Sequence, residues 1–213
     1  MDNNNYIKIS NLSKKIRGSQ VLTDINLELK GGTVYGVSGK NGCGKTMLMR
    51  SICGLIKPTQ GEIEINGKIL WKDISFPQSI GALIENPAFL GGYTGFENLR
   101  ILADIKGIAT NEQIKETIAK LGLDPEDKRK YRKYSLGMKQ KLGIACAIME
   151  KPDVIILDEP INAIDEKGVT LVEEVLNELK EEGKIILIAC HDKEELELLS
   201  DTIFYMEEGK IVE

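Results

Sequence analysis

Gly39-Lys40-Asn41-Gly42-Cys43-Gly44-Lys45-Thr46 fills every fixed position of the phosphate-cradle pattern G-x-x-x-x-G-K-[ST]. Thr33-Val34-Tyr35-Gly36-Val37 ahead of it reads as a short buried strand, and Met47 to Cys53 behind it is built largely from good helix formers. Strand, loop and helix therefore follow in the order that phosphate binding requires. Glycines at 39, 42 and 44 let the backbone come close to an anion and adopt positive φ. Successive N–H groups, with Asn41 and Cys43 in the same run, can then point at the phosphates together with the helix N-terminus. Lys45 is placed to reach the β and γ phosphates, and the Thr46 hydroxyl to ligate Mg²⁺ beside them.

Composition sets the bounds around that loop. A chain of 213 residues can bury a substantial core as one domain, 1–213, with a smaller inserted lobe. Hydrophobic residues make up 42% and charged residues 29%, ordinary for a globular protein. The net charge of -5 argues against a dedicated nucleic-acid binder, and no nucleic-acid partner is expected. One local basic cluster, Lys128, Arg129, Lys130, Arg132 and Lys133, reads either as a solvated helix-terminal face or as a contact with the acidic head groups of a membrane or with a nucleotide. The longest apolar runs, Val154 to Leu157 and Ile185 to Cys190, fall far short of the ~18 residues a membrane span needs. The start, Met1-Asp2-Asn3-Asn4-Asn5, has neither a basic region nor an apolar one, so no secretory signal is expected. Cysteines at 43, 53, 146 and 190 show no metal spacing and read as reduced cytosolic thiols.

Along the chain, Tyr6 to Ser10 and Val21 to Leu29 alternate as strands. Gly61 to Gly67 is a period-two strand closed by an Asn-Gly turn, from which Lys68 to Trp71 pairs back. Between about 88 and 150 the pattern turns helical: Phe96 to Leu102, Gln113 to Leu121 and Gly137 to Met149 carry apolar residues at helical spacing, with Thr110 or Asn111 as an N-cap. From Asp153 onward strand and helix alternate again, through Val154 to Leu157, Glu166 to Glu182, Lys184 to Ala189 and Glu194 to Leu199. A terminal hairpin follows around Glu208-Gly209. The continuous apolar runs predict parallel strands covered on both faces. The expected fold class is α/β: a P-loop NTPase with a mostly parallel core sheet, an N-terminal antiparallel β lobe and an inserted helical lobe.

Val154-Ile155-Ile156-Leu157-Asp158-Glu159 is an apolar strand ending in two carboxylates, where ligands of open parallel sheets bind. Asp158 is expected to meet Mg²⁺. Glu159 has room to orient or deprotonate the attacking water.

With these residues in hand the chain resembles the ATP-binding cassette ATPases. Tyr134-Ser135-Leu136-Gly137-Met138-Lys139-Gln140 looks like that family's signature segment, whose usual core is Leu-Ser-Gly-Gly-Gln. Ser135 and Gly137 match; Leu136 and Met138 depart from the usual Gly and Gln. Taken alone, 135–137 also reads as a helix N-cap followed by Gly. The resemblance implies that this segment grips the γ phosphate of ATP held by an opposite subunit, and so a head-to-tail dimer of cassettes around two nucleotides. Asn162-Ala163-Ile164-Asp165 looks like the loop coupling the two sites. His191, the sole histidine, looks like the switch residue at the γ phosphate, although a His after an apolar strand also fits a capping or core role. Glu85, in Leu83-Ile84-Glu85-Asn86-Pro87, stands where relatives usually carry Gln near Mg²⁺. It can ligate through oxygen or simply be a solvated loop carboxylate. Ile16 aligns with the aromatic residue on which relatives stack adenine, and an aliphatic side chain covers a purine without π stacking.

The signature and the Glu85 segment are most similar to cassette subunits of bacterial exporters of peptide antibiotics such as bacitracin and lantibiotics. That resemblance implies an ATP-hydrolysing subunit on the inner face of the cell membrane, energising separate permease subunits. The implied catalytic set is Glu159, His191 and Lys45, and the implied docking surface runs from Ala88 to Leu102. A non-transport cassette ATPase acting on nucleic acid or ribosomes is the alternative. It would usually bring a coiled coil, a second cassette or a basic surface, none of which is visible in the sequence.

Overall fold

The computed structural model describes residues 5–212; Met1 to Asn4, on which the reading of the polar start falls, and Glu213 lie outside the described residues. Two sheets organise the chain. The first is antiparallel and four-stranded, ordered β2-β1-β4-β5, from β1 (Tyr6–Ile16), β2 (Ser19–Lys30), β4 (Gln60–Ile65) and β5 (Lys68–Ile69). Ile7, Ile9, Leu22, Ile25 and Leu29 are fully or almost fully buried while their neighbours face out, the alternation expected of a sheet wet on one side. The Asn66-Gly67 turn between β4 and β5 has positive φ at both residues, 49° and 80°, as a two-residue hairpin of this hand requires. β1 runs six residues further than its alternation suggested. Register shifts after Ile9, with Asn11 at φ 50°, break the period of two without ending the pairing.

The second sheet has six strands in the order β10-β9-β3-β8-β7-β6. It comprises β3 (Thr33–Ser38), β6 (Ile80–Leu83), β7 (Val154–Asp158), β8 (Ile185–Cys190), β9 (Thr202–Glu207) and β10 (Lys210–Ile211), and only β10 is antiparallel to its neighbour. Ile185, Ile186, Leu187 and Ile188 are all fully buried, because helices or the first sheet cover both faces of β8. Each such side chain contributes roughly 1.5–3 kcal/mol of burial. Two placements were not read from the sequence: the short strand β6 at the sheet edge, and β9 entering beside β3 rather than standing as a separate hairpin arm.

Helix α1 (Lys45–Ile52) leaves the tip of β3. Three further helices, α2 (Gly95–Lys106), α3 (Asn111–Lys120) and α4 (Leu136–Ile148), fill the stretch between β6 and β7. Thr94 and Thr110 each close a capping box, with Glu97 and Gln113 respectively, so the Thr110 cap is the one realised. Leu99, Ile114, Ile118, Leu142 and Ile144 of these helices share one buried cluster with Ile155, Leu157, Ile186 and Ile188. α4 lies directly on the edge strand: a Cβ on Gly81 of β6 would collide with the Ala147 carbonyl oxygen. α5 (Glu166–Glu181) and α6 (Lys193–Leu199) complete the layers. Among the described residues no helix is long and apolar enough to cross a membrane, and all four cysteines are free thiols. Burial raises the Cys53 thiol to about 12 and the Cys146 thiol to about 11.

Candidate functional site

The carboxyl ends of β3 and β7 are separated by β8 in the sheet, and their two loops face each other across a cleft of about 400 Å³. Gly42, Gly44, Lys45, Thr46, Glu85, Gln140, Asp158, Glu159 and Asn162 are on its walls. The loop after β3 turns tightly, with the Cys43 N–H donating to the Lys40 carbonyl at 3.1 Å. Gly44 then caps α1 at φ 116°, a conformation that a residue with a Cβ rarely takes. No side chain caps that helix, so its first N–H groups stay available to an anion. Lys45 is buried at 7% exposure and folds back over the loop, its Nζ donating to the Gly39 carbonyl at 2.5 Å.

Across the cleft the Thr46 hydroxyl donates to Asp158 Oδ2 at 2.7 Å. Burial pushes the Asp158 carboxyl above its ordinary value; the Thr46 hydrogen bond opposes this and the neighbouring Glu159 charge adds to it. Glu159 adopts φ 52°, unusual for a residue with a side chain. Its N–H donates to Ala189 of β8 at 2.8 Å, and its carboxylate shares a 2.8 Å hydrogen bond with His191 Nδ1. That contact holds the imidazole pKa above its usual value, because the carboxylate favours the charged ring. Glu85, at φ 61°, lines the cleft and is half-committed elsewhere: Arg50 Nη2 lies 2.7 Å from its Oε1.

The structure thus brings Asn41, Gly42, Gly44, Lys45, Thr46, Glu85, Asp158 and Glu159 to one cleft, with His191 joined through Glu159. Gly39 and Cys43 belong to the same loop but line a second hollow, behind it and against β9 and β10. Ser135, Gly137 and Ile16 are not on the cleft wall. Ser135 caps α4, accepting from the Met138 N–H at 3.2 Å, and Gly137 packs under the Ala163 carbonyl. Ile16 sits exposed beside the β1–β2 turn. The basic cluster is largely neutralised, with Lys128, Arg129 and Lys130 paired to Glu126, Asp127 and Glu97.

Two residues of the cleft region were not singled out from the sequence. Arg50 had no signal beyond its place on α1. Gln140, in the signature helix and only 5% exposed, donates from Nε2 to the Glu159 carbonyl at 2.7 Å. A Gln four residues into an apolar helix is a signal, but its partner is not visible locally.

Residues 22–162 match the family model described as ABC transporter. The chain is 49% identical to an uncharacterized ABC transporter ATP-binding protein, YybJ, of Bacillus subtilis, across 96% of this chain and 94% of that one. It is 39% identical to the bacitracin transport ATP-binding protein BcrA of Enterococcus faecalis, across 97% of this chain and 68% of that one. The dimeric ATP-binding cassette MJ0796, solved in a post-hydrolysis state with ADP and Pi, superposes with a TM-score of 0.86 over 97% of both chains at 23% identity, a likeness of fold. The chain belongs to the ABC transporter family, as an ATP-binding and ATP-hydrolysing subunit.

Proposed function

We propose that this chain energises an exporter of peptide antibiotics or similar compounds, working as a dimer of cassettes docked on separate membrane permease subunits. The observation that carries the reading is the split of the site. The phosphate loop, Asp158 and Glu159 meet at one cleft, with His191 hydrogen-bonded to Glu159, while Ser135 and Gly137 are displayed elsewhere on the surface of the same chain. A second copy, head to tail, supplies the missing pair. Kinship with a bacitracin transport protein supports the choice of cargo. Leu90 and Tyr93, exposed between Glu85 and α2, give the Ala88 to Leu102 stretch apolar contacts for a permease.

In this reading the amides of residues 42–46 take the phosphates of ATP. Lys45 leaves the Gly39 carbonyl to bridge the β and γ groups. Among the described residues no three His, Cys, Asp or Glu side chains could hold a metal by themselves. Thr46 and Asp158 instead offer two hard oxygens, which suits Mg²⁺ arriving with phosphate and water ligands; Glu85 is within the same wall. When bound, the ion neutralises charge on the phosphate oxygens. Glu159 accepts the proton of the attacking water as its oxygen bonds to the γ phosphorus and the bond to ADP breaks. His191 holds that carboxylate and faces the departing phosphate. Ile16 covers the base without stacking on it.

The test is purification of the tagged chain from membranes in detergent. A multi-span permease should co-purify, and ATPase activity of the complex should rise with a bacitracin-like peptide. Recovery of the cassette alone, with activity indifferent to such peptides, would contradict the transport assignment.

A further inference from the structure

Glu159 is held in a conformation it would not choose. A left-handed backbone costs a residue with a Cβ roughly 1–2 kcal/mol, so the surroundings must impose it. Three contacts do so. The Glu159 N–H is fixed by Ala189 of β8, its carboxylate by His191, and its carbonyl by the Gln140 side-chain amide. The carbonyl has one weaker backbone contact besides, from the Asn162 N–H at 3.3 Å.

Of the three anchors, Gln140 alone comes from α4, the helix capped by Ser135. Two further contacts tie that helix to the loop after Glu159. Gly137 packs under the Ala163 carbonyl, and Lys141 Nζ lies 3.4 Å from Asp165 Oδ1. A buried amide has a strong reason to keep its partner, because losing it leaves an unsatisfied polar group. A shift of α4 must therefore be felt at the Glu159 carbonyl.

We infer that Gln140 is a positioning residue for hydrolysis: its amide pins the Glu159 backbone, so that the signature helix of a chain sets the aim of that chain's own general base. This rests on Glu159 acting as that base. ATP bound by one copy grips α4 of the other, and the grip is transmitted through Gln140 to the second site. Gln140 touches neither phosphate nor water in this scheme.

The test is steady-state ATPase kinetics of the purified chain, at concentrations where specific activity has levelled off, in a cycle with Glu159→Gln. Gln140→Met keeps the volume and removes the donor. The expected result is a fall in kcat of about 10- to 100-fold with KM for ATP changed less than about twofold, the signature of lost aim rather than lost binding. In the Glu159→Gln background the same change should lower the residual rate by less than about twofold, because the two residues act as one unit. Equal fold-losses in both backgrounds, a KM effect without a kcat effect, or an unchanged rate would overturn the inference. Should Gln140→Met fail to fold, Gln140→Glu keeps the shape and replaces the donor with an acceptor, and carries the same expectations. Full activity in Glu159→Gln alone would instead sink the general-base reading, leaving a distinct record of which idea failed.

Discussion

Replacing Gly137 with Ala adds one methyl group where the signature helix meets the loop at Ala163. Built on the existing backbone, that Cβ lies 2.5 Å from the Ala163 carbonyl oxygen. This is about 1 Å short of an ordinary contact. The obstacle is backbone, and Ala163 is itself at φ 61°, so no side chain can swing aside. Either α4 or the 161–165 segment must move. Overpacking of this kind costs about 1–3 kcal/mol, against which Ala in a helix recovers up to about 1 kcal/mol over Gly. The net loss of about 0–3 kcal/mol corresponds to a fall in Tm of at most about 12 °C for a chain of this length. The fold therefore survives. Activity should not, because a displacement approaching 1 Å at a phosphate-gripping segment can cost about 100-fold in rate. Thermal unfolding and ATPase activity measured on the same preparation separate the two effects. A variant with normal kcat would refute the idea that Gly137 is there to let α4 sit close to its neighbour. One that unfolds outright would show the packing estimate to be wrong.

Three further outcomes follow from the site. Asp158 carries a raised pKa, so its ionised form costs the folded state stability above the usual carboxylate range, a cost that vanishes as pH falls. Asp158→Asn should raise Tm at pH 7 without nucleotide and abolish the further rise that ATP with Mg²⁺ gives the parent chain; a lower Tm in its absence contradicts this. The stabilisation from the His191–Glu159 pair is fully present below pH ~6.5 and lost as pH climbs through the raised imidazole value. A proton NMR titration of the single histidine should accordingly give a pKa above ~6.5 that falls in Glu159→Gln, and identical titrations would dismiss the pair. With Ile16 in place of an aromatic platform, ATP and GTP should bind within about tenfold of each other by competition titration, and Ile16→Tyr should tighten both. An ATP preference beyond about a hundredfold would point to a polar group reading the adenine edge.

The strand, loop and helix at 33–52 were legible because phosphate binding demands a fixed spacing of glycines, Lys and Thr along a continuous stretch. Asp158 and Glu159 were legible for a similar reason, since four apolar residues in a row ending in acids mark the carboxyl end of a covered strand. Those are local patterns. β6 escaped because four residues with a glycine and two half-exposed positions carry no period, and its place is fixed by α4 pressing on Gly81. β9 read as one arm of a hairpin with β10, which it is, but its parallel pairing to β3 joins residues 167 positions apart, Tyr35 with Thr202 for example. The Arg50–Glu85 and Gln140–Glu159 contacts escaped for the same reason. Each is a long side chain meeting a partner brought near only by the sheet order. The departure from Gln to Glu at 85 was visible in the sequence; the cation that balances it was not.

In the proposed assembly two copies of this chain enclose ATP between the phosphate loop of one and the Ser135 segment of the other. Glu159→Gln tests it most directly, since the amide keeps the shape of the carboxylate but cannot take the proton from water, so bound ATP persists. Multi-angle light scattering on the purified variant with saturating ATP and Mg²⁺ should show a dimer carrying two unhydrolysed nucleotides, reverting to monomer when nucleotide is withdrawn. A chain that remains monomeric at saturating ATP while binding it fully would rule out the two-copy enclosure of nucleotide.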